Sequence, residues 1–571
     1  MVFAALILLL QAPDSLATLR VRPTVDGLPL PGARVRVDTA AKVIGSEGLA
    51  VFRLARGPHV VVVTRIGVRP DTQHVELRAG QDTTLGLEMS RDEVELAPIV
   101  ATTRSERRVD DTPVRVEVID EEEIAEKAAM TPGDITMMMN ETSGLRVVST
   151  SPSLGAANVR IQGLRGRYTL MLADGLPLYG TQGSGLGLLQ IPPLDLARVE
   201  VIKGSASSLY GSAALGGVIN LISRRPAEEP VRELLVNQTS RGGTDAVFFG
   251  GAPLGRLGAT MLASAHRQTQ QDIDDDGWAD LSGYRRLVLR PRVFLDGANR
   301  SAFFTAGYTV EDRDGGTLAG STAPDGQPYA EGLETNRGDV GMTARFARGA
   351  SVYSLRASGT DQRHDHVFGS RIERDEHQTV FGEASVAIPR GRLTSVVGGA
   401  FQLESYRSRD VARFDFTHRV PSVFAQLDWD ATPALVVSGG VRSDWHNVFG
   451  TMVNPRLSAL LRLPASEGLG RWTARLSGGQ GSFAPVPFTE ETDAFGLTPL
   501  ATPNGLKREL AWNSSFDVNG VLDRSFGEVE LNASLYGSIL DNPVRVRRDG
   551  IGGLFLSNST DQSRTVGGEL M

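Results

Sequence analysis

From about residue 231 to its end the chain alternates apolar and polar side chains with a period of two, segment after segment. Ala302, Phe304, Ala306, Tyr308 and Val310 share one face, and Ser301, Thr305, Thr309 and Glu311 share the other. Val529, Leu531, Ala533, Leu535 and Ile539 alternate with Glu530, Asn532, Ser534 and Ser538. The same holds for Trp472, Ala474 and Leu476 against Arg471, Thr473 and Arg475, and for Val437 and Val441 against Ser438, Arg442 and Asp444. This period belongs to strands with two unlike faces. In a soluble sandwich the apolar face meets a second sheet and the polar face meets water. In a membrane barrel the apolar face meets lipid and the polar face lines the lumen. Period alone does not separate the two. Repetition over roughly 340 residues without helices favours the barrel. So do Arg356, Glu383, Glu404 and Arg475, which fall deep inside the expected strands.

Composition narrows the rest. No segment approaches the roughly 18–20 apolar residues of a membrane helix, so a membrane form of this chain must cross with strands. The 571 residues carry a formal charge of −8 and no basic stripe, which argues against nucleic acid as a partner. There is no cysteine, hence no disulfide, thiolate metal site or cysteine nucleophile. No nucleophile–base constellation and no phosphate-binding Gly-Lys-Ser/Thr loop stands out, so the chain does not read as an enzyme.

The N-terminal part divides into short units. Val2 to Leu10 is an apolar run followed by Ser15-Leu16-Ala17, which predicts a signal peptide over 1–17, cut after Ala17, although no basic residue precedes the run. Residues 18–90 show short alternating stretches between Gly and Pro, the pattern of a small β-sandwich. Residues 91–114 are charged and read as a linker with one short apolar patch, Leu96 to Ala101. Residues 115–228 are mixed: a short strand at Val114, Val116 and Val118, a helix after the N-cap Asp120, and a second helix begun by Thr131, Pro132 and Asp134.

The stretch from Val159 to Pro226 carries a long motif. An Arg198-x-Glu200-Val201 strand leads into Lys203-Gly204, then Leu209-Tyr210-Gly211, Gly216-Gly217, and a closing strand through Asn220. Its glycines suit a small sheet folded tightly, by close packing rather than ligand contact. Val199 and Val201 alternate with Arg198 and Glu200 as in a half-buried strand. This motif resembles the plug domain of TonB-dependent outer-membrane receptors. Asn454 to Pro464, Gly481 to Glu491 and Pro503 to Leu510 resemble segments of that family's barrel, and residues 18–90 resemble the carboxypeptidase regulatory-like domain.

The resemblance implies a mainly β protein: a sandwich, an α/β plug over 115–228 and a transmembrane antiparallel barrel over 229–571. It implies import of a scarce extracellular small molecule, such as a ferric siderophore or cobalamin, energised by TonB with ExbB and ExbD. The alternative is a receptor that signals, adheres or docks phage without transporting. The TonB box is expected at Leu96, Ala97, Pro98, Ile99, Val100, Ala101 and Thr102, where an extended segment adds to a sheet edge. Pro98 departs from the usual β-branched run by removing one donor. At about 22 residues per strand and connection, the barrel region holds about 15–16 strands. The family's barrel has about 22, so the sequence is expected to stop before its barrel is complete.

Ligand signals are weaker. Tyr179, Gln182 and Ser184 lie in a Gly- and Ser-rich plug loop expected to face outward, together with the loop Ser149 to Ala157. Asp272, Asp274, Asp276 and Asp280 around Gly277 match the first part of a calcium loop, but Gly283 replaces the closing Glu. The segment is a possible Ca²⁺ site or an acidic hairpin tip. No other cofactor is expected. His364 and His366 flank Asp365 in a stretch read as an outer loop, where they could touch a metal or simply be solvated.

Overall fold

The computed structural model describes residues 16–89 and 111–571, except 26, 31, 39, 46, 66–67, 152, 179, 181–186, 205, 298, 464–469 and 525–526. The expected signal peptide, save its last two residues, and the whole candidate TonB box lie outside the described residues. The chain forms two compact units.

The smaller unit is a sandwich of two sheets. In one, Ala17–Val25 pairs antiparallel with Ala50–Leu54 and parallel with Asp82–Glu88. The other runs in the order Ala40–Val43, Arg34–Val37, Gly57–Arg65, Val68–Leu77. Leu19, Val21 and Phe52 of the first sheet bury against Val35, Val37, Val61 and Val63 of the second. Alternation along Ala17–Val25 places every second residue in this core, which is the reason the segment is a strand.

The larger unit begins with a five-stranded sheet ordered Leu176–Pro177, Thr169–Ala173, Gly217–Ser223, Leu196–Lys203, Val116–Ile119. Thr169–Ala173 runs parallel to Gly217–Ser223, and the other neighbours are antiparallel. The helix Glu121–Met130 starts where its cap predicts: Asp120 accepts a bond from Glu123 N, with three glutamates in the first turn. The second helix starts later than the sequence suggests, at Thr136, because Asp134 spends its carboxylate on the Thr136 N–H and leaves Thr131 outside the helix. Leu196–Lys203 also differs from expectation. It is buried on both faces, not one, since Val199, Glu200 and Val201 are all fully buried.

Around this plug curls a sheet of sixteen strands in sequence order, from Val231–Gln238 to Ser563–Leu570. The count agrees with the lengths read from the sequence. Among the described residues the first and last strands do not pair with each other. The faces are inverted relative to a soluble protein. Phe304, Tyr308, Leu476, Leu531, Leu535 and Ile539 point outward and are exposed, while Thr309, Glu311, Arg356, Glu383, Arg475 and Ser534 are buried inside. Polar side chains inside and apolar ones outside answer the ambiguity of the period: this sheet is built for lipid. Connections at one end are short, such as 255–256 and 431–434. Those at the other end include 269–282, 409–415, 484–508 and 542–562, the arrangement of the outer face of such barrels.

Candidate functional site

The plug motif is an electrostatic scaffold. Arg198 Nε lies 2.9 Å from Glu200 Oε1, Asn220 Nδ2 donates to Glu200 Oε2, and Asn220 Oδ1 accepts from Gly175 N. A buried carboxylate persists only when paired in this way. Lys203 reaches in two directions, to Glu117 at 2.6 Å within the plug and to Glu569 at 2.7 Å on the last strand of the sheet. Gly204 N donates to Gly216 O and Gly216 N to Tyr168 O, which closes the motif into one turn. Gly217 has no room for a side chain, since a β-carbon there would sit 2.4 Å from Ile202 O. Tyr210 ends the short helix Ser207–Tyr210, and Gly211 packs beside Arg442.

The wall holds the plug largely through arginines that the sequence reading did not single out for this purpose. Arg286 donates to Gly133 O at 2.8 Å, Arg313 to Leu154 O at 2.8 Å, Arg356 to Gly175 O at 2.9 Å and Arg442 to Leu209 O at 3.1 Å. Arg475 donates to Thr112 O at 3.1 Å, and Arg292 pairs with Asp195 at 2.6 Å. Arginine at inward strand positions was the available signal. Its partners were illegible because they are backbone carbonyls, which leave no mark in sequence. A second lock joins Arg167 and Tyr168 to Glu509, at 2.9 Å and 2.5 Å. Burial pushes the Tyr168 phenol far above its usual range and keeps it a donor.

Above the plug lies a cavity of about 70 Å³. Its floor is Gly187 and Gln190 of the plug. Its wall is His364, His366, Glu373, Asp375 and Tyr406, and its roof is the loop helix Glu490–Phe495 with Phe488 and Leu497. The roof is docked on the plug: Asn158 Nδ2 donates to Asp493, Arg160 Nε to Glu490 at 3.2 Å, and Arg165 pairs with Glu491 at 3.0 Å. Glu373 accepts from Leu497 N and Thr498 N, which ties the wall to the roof. Five of the eight histidines, His364, His366, His377, His418 and His446, stand on four strands of the sheet, and His364 and His366 line the cavity. A β-carbon on plug residue Gly180 would fall 2.1 Å from His377 Cε1, so the plug backbone presses directly on this wall. Tyr179, Gln182 and Ser184 lie outside the described residues.

At the acidic hairpin the structure gathers Asp272, Asp274 and Asp276, whose carboxylate oxygens lie within 4.8 Å of one another, and leaves Asp280 outside that group. Asp280 instead accepts from Ile273 N. The Asp274 carboxyl is raised by local desolvation and by its neighbours Asp276 and Asp280.

A polar-lined sheet closing on an α/β plug, with loops folded over the plug at one end, defines an outer-membrane receptor. Comparison with known proteins gives its family. The chain matches the TonB-dependent receptor plug domain over residues 108–218 and the TonB-dependent receptor-like beta-barrel over residues 237–571. It belongs to the TonB-dependent receptor family and is an outer-membrane β-barrel protein. Its relatives are receptors and transporters rather than enzymes. It is 25% identical over 373 residues to the iron-regulated outer membrane virulence protein of Vibrio cholerae, covering 62% of this chain and 55% of that protein. It is 30% identical over 192 residues to the vitamin B12 transporter BtuB of Photobacterium profundum, covering 32% of this chain and 30% of that one. The chain thus spans about half the length, or less, of these relatives. In fold it resembles the siderophore receptor PirA of Pseudomonas aeruginosa, with a TM-score of 0.63 at 19% identity over 80% of this chain and 81% of that one. It also resembles a mutant of the ferric enterobactin receptor PfeA from the same organism, with a TM-score of 0.66 at 17% identity over 81% of this chain and 78% of that one.

Proposed function

We propose that this chain serves an energised importer that takes up a scarce extracellular small molecule, a ferric siderophore, cobalamin or similar chelate, with TonB, ExbB and ExbD supplying the force. The observation that carries the reading is how the plug is held. Ion pairs and arginine-to-carbonyl bonds join it to the wall, and each such charge-assisted bond is worth only about 1.5–3 kcal/mol net. An element fastened this way yields step by step to a pull on its N-terminal side. The candidate handle is Leu96 to Thr102, ahead of the plug, acting by strand addition. Residues 18–90 are read as a carboxypeptidase regulatory-like module on the periplasmic side. The acidic hairpin is read as a weak Ca²⁺ loop.

The test is Ile99→Pro, which takes a second backbone donor from the box beside Pro98. Uptake of labelled cobalamin and of a panel of radio-iron siderophores should fall to background, while binding to cells persists because plug and wall are untouched. Uptake equal to wild type would sink the box and, with it, this form of energisation.

A further inference from the structure

His364 and His366 are not in a solvated outer loop. They stand on the inward face of the strand Ser351–Phe368 and open into the cavity above the plug. Two residues apart on a strand, they project from one face about 6.6 Å apart, a spacing from which two imidazoles reach one ion. His364 Nδ1 lies 3.0 Å from Asp375 Oδ1. That contact orients the ring and leaves Nε2 as the nitrogen for a ligand, as carboxylate–histidine pairs do in metal sites. The His366 ring packs on Phe368 with centroids 3.8 Å apart, and its Nε2 is buried with no hydrogen-bond partner among the described residues. Buried polar atoms are normally satisfied by protein or water, so this nitrogen is open to a ligand.

The cavity's size and charge point the same way. Its 70 Å³ suits a few waters or a hydrated ion, since one water needs about 10–15 Å³ on this measure. Glu373 and Asp375 line it against one arginine, Arg337, and Asp493 adds a third carboxyl that ionises near pH 7. Such a lining disfavours an anion and attracts a cation.

We propose that His364 and His366, with Asp375 behind them, bind a divalent transition-metal ion of the Zn²⁺, Ni²⁺ or Cu²⁺ class. Imidazole is the ligand these ions share. Four protein donors make a closed structural site. Two leave positions for water or a carrier chelate, and so suit an ion that must be let go. That the ion is cargo rests on the importer reading; that it binds does not.

The experiment uses the full chain in detergent, with Zn²⁺, Ni²⁺ and Cu²⁺ titrated against a chromogenic chelator. One ion should bind per chain. Asp375→Asn should weaken it about tenfold, as loss of an outer partner does, and His364→Gln with His366→Gln by more. His74→Gln, on the exposed sandwich, should leave affinity unchanged. Cu²⁺ on the wild type should show nitrogen hyperfine splitting in its electron paramagnetic resonance spectrum, a readout that needs no variant. Unchanged affinity in the double histidine variant, or a Cu²⁺ spectrum without nitrogen splitting, overturns the site. Uptake of the same ions by cells separates the two readings. If the ion binds as expected but uptake ignores Ile99→Pro, the importer reading fails and the site stands. If cobalamin or siderophore uptake depends on Ile99 but no ion binds at the histidines, the site fails and the importer reading stands.

Discussion

Glu200 and Asp274 are both carboxylates in motifs the sequence made conspicuous, yet they stand in opposite surroundings. Glu200 is fully buried between Arg198 and Asn220 and has a structural task. Asp274 is exposed and crowded by like charges, with the Asp276 N–H as a donor. A cation placed among Asp272, Asp274 and Asp276 would relieve that repulsion. With three carboxylates and no closing Glu, calcium should bind at about 10⁻⁴–10⁻³ M, the range of extracellular modules. Millimolar Ca²⁺ should then protect the hairpin from protease, and Asp274→Asn with Asp276→Asn should abolish the protection without unfolding the sheet. Equal cleavage of the wild type in calcium and in chelator leaves only an acidic tip. The sequence displayed these aspartates at the right spacing because a metal loop is local. It displayed the histidines too, but misplaced them, since an outer loop and the polar end of a lumen strand have the same composition.

At the scale of elements, the loop helix Glu490–Phe495 roofs the cavity. It is capped by Thr489, whose side chain accepts from Thr492 N while Thr492 returns a bond to the Thr489 backbone. Three acidic residues face the plug. Arg160 holds Glu490, and Arg165 holds Glu491 below its usual pKa although burial acts against it. Asp493 has the neutral donors Asn158 and Thr150 in place of an arginine, and burial pushes its carboxyl up to about 7 against them. Undocked, the group titrates near 3.8; docked, it keeps its proton to about 7. The docked helix is therefore most favoured below pH 4, and the advantage disappears as pH rises through 7. Amide exchange across 490–496, corrected for intrinsic rates, should be protected about tenfold or more at pH 5.5 relative to pH 8. Asp493→Asn should flatten the profile. An unchanged wild-type profile would show that Asp493 does not control docking. None of this was visible in sequence, because Asp493 meets Asn158 only when strand, loop and plug are assembled.

For the molecule as a whole, the decisive fact is which face looks outward. Leu457 lies near the middle of Gly450–Arg462 and is 63% exposed on the apolar surface. Leu457→Arg should cost about 2–4 kcal/mol, as a cation near the bilayer midplane does. Its neighbour Ser458, buried on the polar side, should accept Thr at little cost. Folding into lipid vesicles followed against urea measures both; a tolerated Leu457→Arg would mean that this surface does not meet lipid.

By itself the sequence determined the strands, their number, the plug motif and the first plug helix. These depend on period, caps and close-packed glycines, all set by neighbours along the chain. Only the tertiary structure decided that the polar face turns inward, that Leu196–Lys203 is buried on both sides, and that wall arginines end on plug carbonyls. It alone brought His364, His366 and Asp493 around one cavity. Those outcomes arise where a sheet closes on a plug: burial, charge pairing and a shared cavity are set by groups hundreds of residues apart, and backbone partners carry no side-chain signature for a sequence to display.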